Sequence, residues 1–304
     1  MHKASRFDGV FTALVTPFQA DGTIDWHAYD ASLDRQLEAG VAGLVPVGTT
    51  GEAATLSAKE AEALIVRTVK RAAGQAYVMA GTGSNATDKA VEATKRAGDL
   101  GVDGVLVVTP YYNKPSKAGL IAHFGAVAEA APCDVMLYSV PGRTGIEIAP
   151  EVAGELAAAH RNVVAIKEAG GDPGRVSDLR AAAGPDFAIH SGDDGLALAF
   201  FALGAVGLTS VFSNYDPAIC VALHKAWVEG DTERALAIHD VLRPAAEAMF
   251  IENSPAPVKH ILAQAGRMRP DTRLPIAAPS LLAQEALDRV MQTYSDRSRA
   301  CLGA

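Results

Sequence analysis

Lys167 is the side chain in this sequence best suited to covalent chemistry. It directly follows the apolar residues 163–166, so it ends a segment with the composition of a buried strand. An amine sheltered from water loses part of its preference for the charged form, and the neutral amine can attack a ketone. The position therefore predicts a Schiff base on Lys167. The competing interpretation is a strand-end lysine that reaches solvent or an ion pair.

Tyr138 ends the preceding apolar segment, at the height that matches Lys167 one strand later. A Schiff-base cycle needs a group that carries protons to and from the carbinolamine, and a phenol can do so. The alternative is a core tyrosine whose hydroxyl is satisfied by a hydrogen bond. The expected proximity of Lys167 favours the catalytic interpretation.

Two features could bind carboxylates. The Gly-Thr-Thr-Gly turn at residues 48–51 offers backbone N–H groups and the hydroxyls of Thr49 and Thr50, and its glycines allow close approach. Arg143 follows a Pro-Gly pair, and its planar guanidinium could clamp a second carboxylate. The alternatives are an ordinary strand–helix turn and a surface arginine.

The sequence indicates neither a metal site nor a cofactor. Its eight histidines are scattered, without HxH or HExxH spacing, and we predict that His190 is a packed core histidine. Asp193 and Asp194 are interpreted as the polar start of a helix. The three cysteines lack metal or redox spacing and suit a reducing compartment; they are Cys133, Cys220 and Cys301.

Composition limits the class of protein. With 304 residues, 49% hydrophobic and 20% charged, the chain matches a soluble globular protein. A net charge of -8 without a Lys/Arg-rich patch argues against nucleic acid as a partner. No run approaches the roughly 20 apolar residues of a membrane helix, and the N-terminus lacks the apolar core of a signal peptide. We expect a cytoplasmic protein that acts on small molecules.

A repeating strand–helix pattern must position these side chains. Eight nearly continuous apolar runs alternate with Ala-rich amphipathic segments, as in parallel strands covered on both faces. The runs are residues 10–16, 43–47, 77–81, 104–109, 134–139, 163–167, 187–192 and 206–211. Eight units over roughly 220 residues predict a (β/α)₈ TIM barrel, an α/β fold with its active site at the carboxyl ends of the strands. A doubly wound open sheet is the alternative, but a dinucleotide fingerprint is missing after the first run.

The barrel is predicted to span residues 1–216, followed by a C-terminal helical extension over 217–304 that packs on the barrel and on partner chains. The predicted helices of this extension are residues 217–229, 231–251, 255–265 and 280–295. Within the barrel, residues 57–74 are predicted to form a helix. Ser57 and Glu60 have capping-box spacing, and Gly74 is a helix stop.

Around these residues, the sequence resembles the dihydrodipicolinate synthase / N-acetylneuraminate lyase family over about residues 7–279. The segments that carry the resemblance are VGTTGEAATL (47–56), AGTGSNAT (80–87), VTPYYNKPS (108–116), LYSVPGRTG (137–145), AIKEAGG (165–171), SGDD (191–194) and PAPVKHIL (255–262). Their length and order are highly specific for the family and less specific for the substrate.

The resemblance implies a catalytic role for each of four side chains. Lys167 matches the lysine that forms the imine, and Tyr138 matches the tyrosine that relays protons. Thr49 matches the threonine that links this tyrosine to a further one. That further tyrosine is matched by Tyr112, which in the family enters the active site of the neighbouring subunit. The resemblance therefore implies a homodimer or homotetramer.

The resemblance also implies a set of substrate-binding residues. Thr50 matches a residue that holds the carboxylate of pyruvate. Arg143 matches the arginine that binds the carboxylate of aspartate semialdehyde. Gly192 and Thr209, at the ends of the seventh and eighth strands, are the remaining predicted substrate-binding residues.

The implied reaction condenses pyruvate with L-aspartate 4-semialdehyde to 4-hydroxy-tetrahydrodipicolinate, an early step toward diaminopimelate and lysine. Arg143 in its RTG context favours this branch. The alternative keeps the imine and acts as an aldolase, dehydratase or deaminase on 2-keto-3-deoxy sugar acids, neuraminate or a related keto acid. A catalytically inactive barrel that serves as a binding or regulatory protein is disfavoured, because all four candidate catalytic groups are present.

Several positions depart from the family pattern. Ser139, Gly170 and Thr209 stand where the family often has Asn, Thr and an aliphatic residue, which bears on the second substrate. The pocket for lysine feedback also differs. Asn85 and Tyr111 match this pocket. Polar side chains of the family are replaced by alanine at Ala53, Ala58 and Ala61, and Lys89 stands where an acid would bind the effector's ammonium. Because like charges repel, we hypothesise weak lysine inhibition.

Overall fold

The computed structural model describes the backbone of residues 6–302 and the side chains of residues 6–298. Eight parallel strands pair in chain order, and the last pairs with the first, which closes the sheet into a barrel. The strands are β1 (Gly9–Ala13), β2 (Gly43–Val45), β3 (Tyr77–Gly81), β4 (Gly104–Val108), β5 (Asp134–Ser139), β6 (Val163–Glu168), β7 (Ala188–Ser191) and β8 (Gly207–Ser210). The (β/α)₈ barrel is confirmed, and the open sheet is excluded.

Aromatic rings close the amino-terminal end of the barrel interior. Phe7 precedes β1 and Tyr77 opens β3, and their ring centroids lie 5.3 Å apart. Phe11 packs edge-on against His190 with centroids 4.9 Å apart, and neither residue is exposed. Inward-facing side chains thus form a packed floor, as expected for a barrel of this size. In this fold the active site lies at the opposite end, at the carboxyl ends of the strands.

Helices follow the strands as the periodicity predicts. They are α1 (Trp26–Glu38), α2 (Ala58–Ala72), α3 (Thr87–Asp99), α4 (Lys117–Ala130), α5 (Pro141–Thr144), α6 (Pro150–Ala159), α7 (Arg175–Ala183) and α8 (Ala197–Ala202). The capping box of α2 is confirmed, since Ser57 N–H donates to the Glu60 carboxylate at 2.8 Å and Glu60 N–H donates to the Ser57 hydroxyl at 3.3 Å. The helix ends two residues before the predicted stop at Gly74, because Ala73 already has a left-handed φ of 45°.

Within residues 6–302, four α-helices follow β8. They are α9 (Pro217–Val228), α10 (Thr232–Ala248), α11 (Ala256–Gln264) and α12 (Leu281–Leu302). The last helix runs further than the predicted residue 295. α9 packs on β1 and on α10, and α10 and α11 pack on α12. Over residues 6–302, no helix combines the length and apolar character that crossing a bilayer requires.

Candidate active site

Lys167 and Tyr138 meet at the mouth of the barrel. They are paired residues of the adjacent strands β6 and β5, so both side chains face the barrel interior. Only 4% of Lys167 and 7% of Tyr138 is exposed. The Lys167 Nζ atom lies 4.4 Å from the centre of the Tyr138 ring. The structure therefore places the two side chains together, as the sequence predicts, and shelters the amine from bulk water.

Gly192, one residue past β7, leaves the space that Lys167 occupies. A Cβ atom at this position would lie 2.6 Å from the Ala169 Cβ and 3.0 Å from the Lys167 Cε. The Gly192 N–H also donates to the Glu168 carbonyl at 2.7 Å, which ties the end of β7 to the end of β6. A glycine is thus needed here so that the backbone can approach the lysine closely.

The side chain of Thr209 in β8 forms a hydrogen bond with the side chain of His190 in β7. The Thr209 Oγ1 lies 3.0 Å from His190 Nδ1, and His190 Nε2 lies 2.6 Å from the Phe7 carbonyl oxygen. Burial lowers the pKa of His190 to about 4, so the ring is neutral at pH 7. Nε2–H donates to Phe7, and Nδ1 accepts from the threonine hydroxyl. His190 is a packed core histidine, as predicted, and it explains how a threonine is accommodated where the family often has an aliphatic residue.

The turn at residues 48–51 follows β2 and is held by hydrogen bonds of its own. Gly51 N–H donates to the Gly48 carbonyl at 3.0 Å, and the Thr16 hydroxyl donates to the Gly51 carbonyl at 2.7 Å. Thr50 is 6% exposed, whereas Thr49 is exposed. Among the described residues, the backbone N–H groups and hydroxyls of these two threonines have no hydrogen-bond partner. They are therefore available to a bound carboxylate.

Glu52 directly follows this turn and anchors it to the C-terminal part of the chain. Its backbone has a left-handed φ of 57°, which is strained for a residue other than glycine. Its carboxylate accepts from the Lys259 ammonium in an ion pair with both side chains fully buried, and from Arg273 N–H at 2.9 Å. Burial lowers the pKa of Lys259 to about 8, and Glu52 opposes the shift. Two positions in the C-terminal part of the chain thus hold the turn.

Sequence reasoning did not identify this anchor. Glu52 and Lys259 both lie in segments that resemble the family. They are 207 residues apart, however, and no local sequence pattern indicates that they meet. The predicted polar helix start at Asp193 and Asp194 is confirmed, since the Asp193 side chain accepts from Gly195 N–H at 2.9 Å and a short 3₁₀ helix begins at Asp194. Asp194 has a further role that the sequence does not predict. Its carboxylate is buried and accepts from Val211 N–H at 2.9 Å, Phe212 N–H at 3.2 Å and the Ser210 hydroxyl, so it fixes the segment after β8.

Arg143 lies on the rim, in the one-turn helix α5 that follows β5. Its side chain is exposed, and within the described part of the chain it has no ion-pair partner. The turn is fixed from within, since the Thr144 hydroxyl donates to the Ile146 carbonyl at 2.8 Å. A free guanidinium on a fixed turn is suited to bind an anionic substrate.

Tyr112 does not join the site in a single chain. It is 91% exposed, and its left-handed φ of 73° is costly for a tyrosine, about 1–3 kcal/mol. Tyr111 beside it is 40% exposed. Among the side chains of residues 6–298, no group of three or more His, Cys, Asp and Glu could hold a metal ion.

The closed barrel and the sheltered lysine at its mouth define a (β/α)₈ lyase. The model of the dihydrodipicolinate synthetase family matches residues 6–294. The chain belongs to this family.

Individual relatives match over nearly their whole length. The 4-hydroxy-tetrahydrodipicolinate synthase of Exiguobacterium sp. is 44% identical over 290 residues, which are 95% of this chain and 99% of that protein. The structure of the synthase of the same name from Methylacidiphilum fumariolicum SolV has a TM-score of 0.95 at 40% identity, covering 97% of this chain and 98% of that one. A monomeric dihydrodipicolinate synthase variant has a TM-score of 0.93 at 38% identity, covering 97% and 99%.

Proposed function

We propose that this chain condenses pyruvate with L-aspartate 4-semialdehyde to 4-hydroxy-tetrahydrodipicolinate, through a Schiff base on Lys167. The observation that carries the proposal is the sheltered Lys167 Nζ, 4.4 Å from the centre of the Tyr138 ring at the barrel mouth. Relatives named for this product match almost the full chain, which favours the condensation over reactions of keto-deoxy sugar acids. The reaction is an early step toward diaminopimelate and lysine.

The first half of the reaction forms a nucleophile from pyruvate. The neutral Lys167 amine attacks the keto carbon, and Tyr138 donates a proton to the oxygen, which leaves as water. The protonated imine withdraws electrons, so a methyl proton passes to the Tyr138 phenolate and an enamine forms. The hydroxyl of Thr50 and the backbone N–H groups of the turn hold the carboxylate, and Thr49 links Tyr138 to the Tyr112 of a neighbouring copy. Gly192 and Thr209 line the space around the imine.

The second half joins the two substrates. The enamine carbon attacks the aldehyde carbon, and Tyr138 returns its proton to the resulting alkoxide. The amino group of the second substrate then attacks the imine carbon. One of its protons passes to Nζ, so the bond to Nζ breaks and Lys167 is released as the neutral amine, and the other proton returns to the Tyr138 phenolate. One water leaves overall, and the product keeps the new hydroxyl. Arg143 holds the carboxylate of the second substrate through its paired N–H donors.

Trapping with borohydride tests the covalent step. Reduction in the presence of pyruvate should leave a pyruvate-derived adduct on Lys167, located by peptide mass spectrometry. Lys167→Ala should abolish the adduct, whereas Lys117→Ala, at an exposed lysine on α4, should not change it. A trapped adduct combined with turnover of keto-deoxy acids, and none of aspartate semialdehyde, would instead support the alternative. Absence of any adduct would refute the imine.

The assembly proposed for this enzyme is a cytoplasmic homotetramer or homodimer. Tyr112 reaches the neighbouring site, and the helical extension 217–304 contacts partner chains. Support comes from the 91% exposure and strained backbone of Tyr112, which suit a residue held by a second copy. A monomeric relative shows that the state must be measured. Sedimentation should give an oligomer, and fully active isolated protomers would contradict the sharing of Tyr112.

A further inference from the structure

Arg175, the first residue of α7, connects the end of β6 to the segment that follows Arg143. Its Nη1 donates to Glu147 Oε2 at 2.8 Å, and its Nη2 donates to the Ile148 carbonyl at 2.6 Å. Its Nε lies 3.1 Å from Glu168 Oε2. Glu168 directly follows Lys167 and is fully buried. The guanidinium of Arg175 therefore connects Glu168, next to the proposed imine lysine, with Glu147 and Ile148, which follow Arg143 by four and five residues.

Two further features concern the segment 141–148. Both are at positions, Ser139 and Gly170, that depart from the family pattern. The Ile148 N–H donates to the Ser139 hydroxyl at 3.3 Å. At Gly170, a Cβ atom would lie 2.7 Å from Glu168 Oε1, 3.3 Å from Glu147 Oε1 and 3.6 Å from Pro141 Cγ. Glu168 cannot easily give way, because its Oε1 accepts from Gly170 N–H at 2.7 Å. Ser139 thus bonds the segment 141–148 directly, and the missing side chain at Gly170 leaves room for the two carboxylates that Arg175 contacts.

The electrostatics make these contacts of Arg175 specific. Burial raises the pKa of Glu168, and the Arg175 guanidinium acts in the opposite direction. Arg175 is itself 9% exposed, so its charge is matched mainly by Glu168 and Glu147. The contact with Glu147 is a charge-assisted hydrogen bond, which is directional, whereas the contact with Glu168 is an ion pair without hydrogen-bond geometry. A one-turn helix such as α5 is not stable alone, so the Thr144 hydroxyl bond to the Ile146 carbonyl and the contacts of Glu147 and Ile148 with Arg175 together hold it in place.

We infer that Glu147 and Arg175 are positioning residues that set the placement of Arg143 relative to Lys167, and with it the affinity for the second substrate. The inference rests on the role proposed above for Arg143. In the proposed function the carboxylate of pyruvate is held by the turn 48–51, which follows β2, four strands away from β6 around the barrel. Glu147 and Arg175 should therefore affect the second half of the reaction and leave the first half unchanged.

The experiment is a double-mutant cycle between Glu147→Ala and Arg143→Ala. Glu147→Ala should lower kcat/KM for aspartate semialdehyde about tenfold, while KM for pyruvate and the rate of borohydride trapping stay within about twofold. In the Arg143→Ala background, Glu147→Ala should have no further effect, because it acts through Arg143. Glu147→Gln, which keeps an acceptor oxygen, should recover part of the loss. The control is Glu151→Ala, an exposed acid on α6 with the same charge change.

The outcomes separate this inference from the proposed function. Multiplicative effects of Glu147→Ala and Arg143→Ala would overturn the inference, as would a parallel rise in KM for pyruvate. Failure of the unmodified enzyme to consume aspartate semialdehyde would instead overturn the proposed function. A thermal unfolding curve for each variant checks that the chain is folded, and the trapping rate reports on the barrel mouth independently.

Discussion

Lys259 and Glu52 form an ion pair in which neither side chain is exposed, although 207 residues separate them. Lys259 also donates to the Asp271 carbonyl at 2.8 Å, and its Nζ lies 4.2 Å from the centre of the Phe18 ring. The pair joins α11 to the turn that is proposed to bind pyruvate. The loss of one partner should therefore disturb both folding and substrate binding.

Lys259→Met should lower the free energy of unfolding by about 3–5 kcal/mol, because it leaves the Glu52 charge buried without a partner. Adding Glu52→Gln should recover part of this loss. KM for pyruvate should rise in Lys259→Met. Denaturant unfolding and steady-state kinetics provide the measurements. Arg96→Met, which breaks an exposed pair with Glu62, is the control and should cost much less, because water screens the pair. Equal losses in the two variants would contradict the prediction.

His190 should make the fold sensitive to acid. Its pKa of about 4 lies below the ordinary 6.5, so between these values the unfolded chain binds a proton that the folded chain does not. The contribution is fully present above pH 6.5 and is lost as the pH falls to 4, by about 3 kcal/mol. His190→Gln should therefore flatten the dependence of unfolding free energy on pH in this window. His27→Gln, at an exposed position, should leave the slope unchanged; identical slopes for both variants would refute the assignment.

Gly192→Ala should impair imine formation without unfolding the barrel. The added Cβ would lie 3.0 Å from the Lys167 Cε and 2.6 Å from the Ala169 Cβ, so the lysine must shift. We expect borohydride trapping with pyruvate to slow at least tenfold, by about 1.4 kcal/mol or more. Gly142→Ala is a matched change, since a Cβ there has no neighbour within 4 Å, and it should trap normally. Normal trapping by Gly192→Ala would show that the close approach is not required.

Free lysine should inhibit this enzyme weakly. Lys89 lies in the first turn of α3 and is exposed, in the position where the resembling family has an acid for the effector's ammonium. A titration should show little loss of activity at millimolar lysine. Lys89→Glu should increase the sensitivity, because it replaces a repulsive charge with an attractive one. Strong inhibition of the unmodified enzyme at sub-millimolar lysine would overturn the hypothesis.

The sequence predicts the parts of this structure that depend on local pattern. Continuous apolar runs identify all eight strands, and Tyr138 and Lys167 end neighbouring strands, so their proximity follows from the parallel pairing. Contacts between distant loops are not predictable in this way. Glu52 meets Lys259, and Arg175 meets Glu147, only after the helices have packed, and neither pair has a periodic signal. The sequence predicts His190 as a core residue and Thr209 as a substrate-binding residue, but it does not predict the hydrogen bond between them. That bond depends on how β7 and β8 are aligned in the folded barrel.

The aromatic floor formed around Phe11 and His190 has a kinetic consequence. Because the floor closes the amino-terminal end of the barrel, both substrates, the expelled water and the product must pass through the opening at the carboxyl ends of the strands. Pyruvate, bonded at the inner wall, has to arrive before its co-substrate, which would otherwise block the passage. Steady-state kinetics should accordingly show a compulsory sequence of arrivals, with the cyclic product departing before the next keto acid can enter.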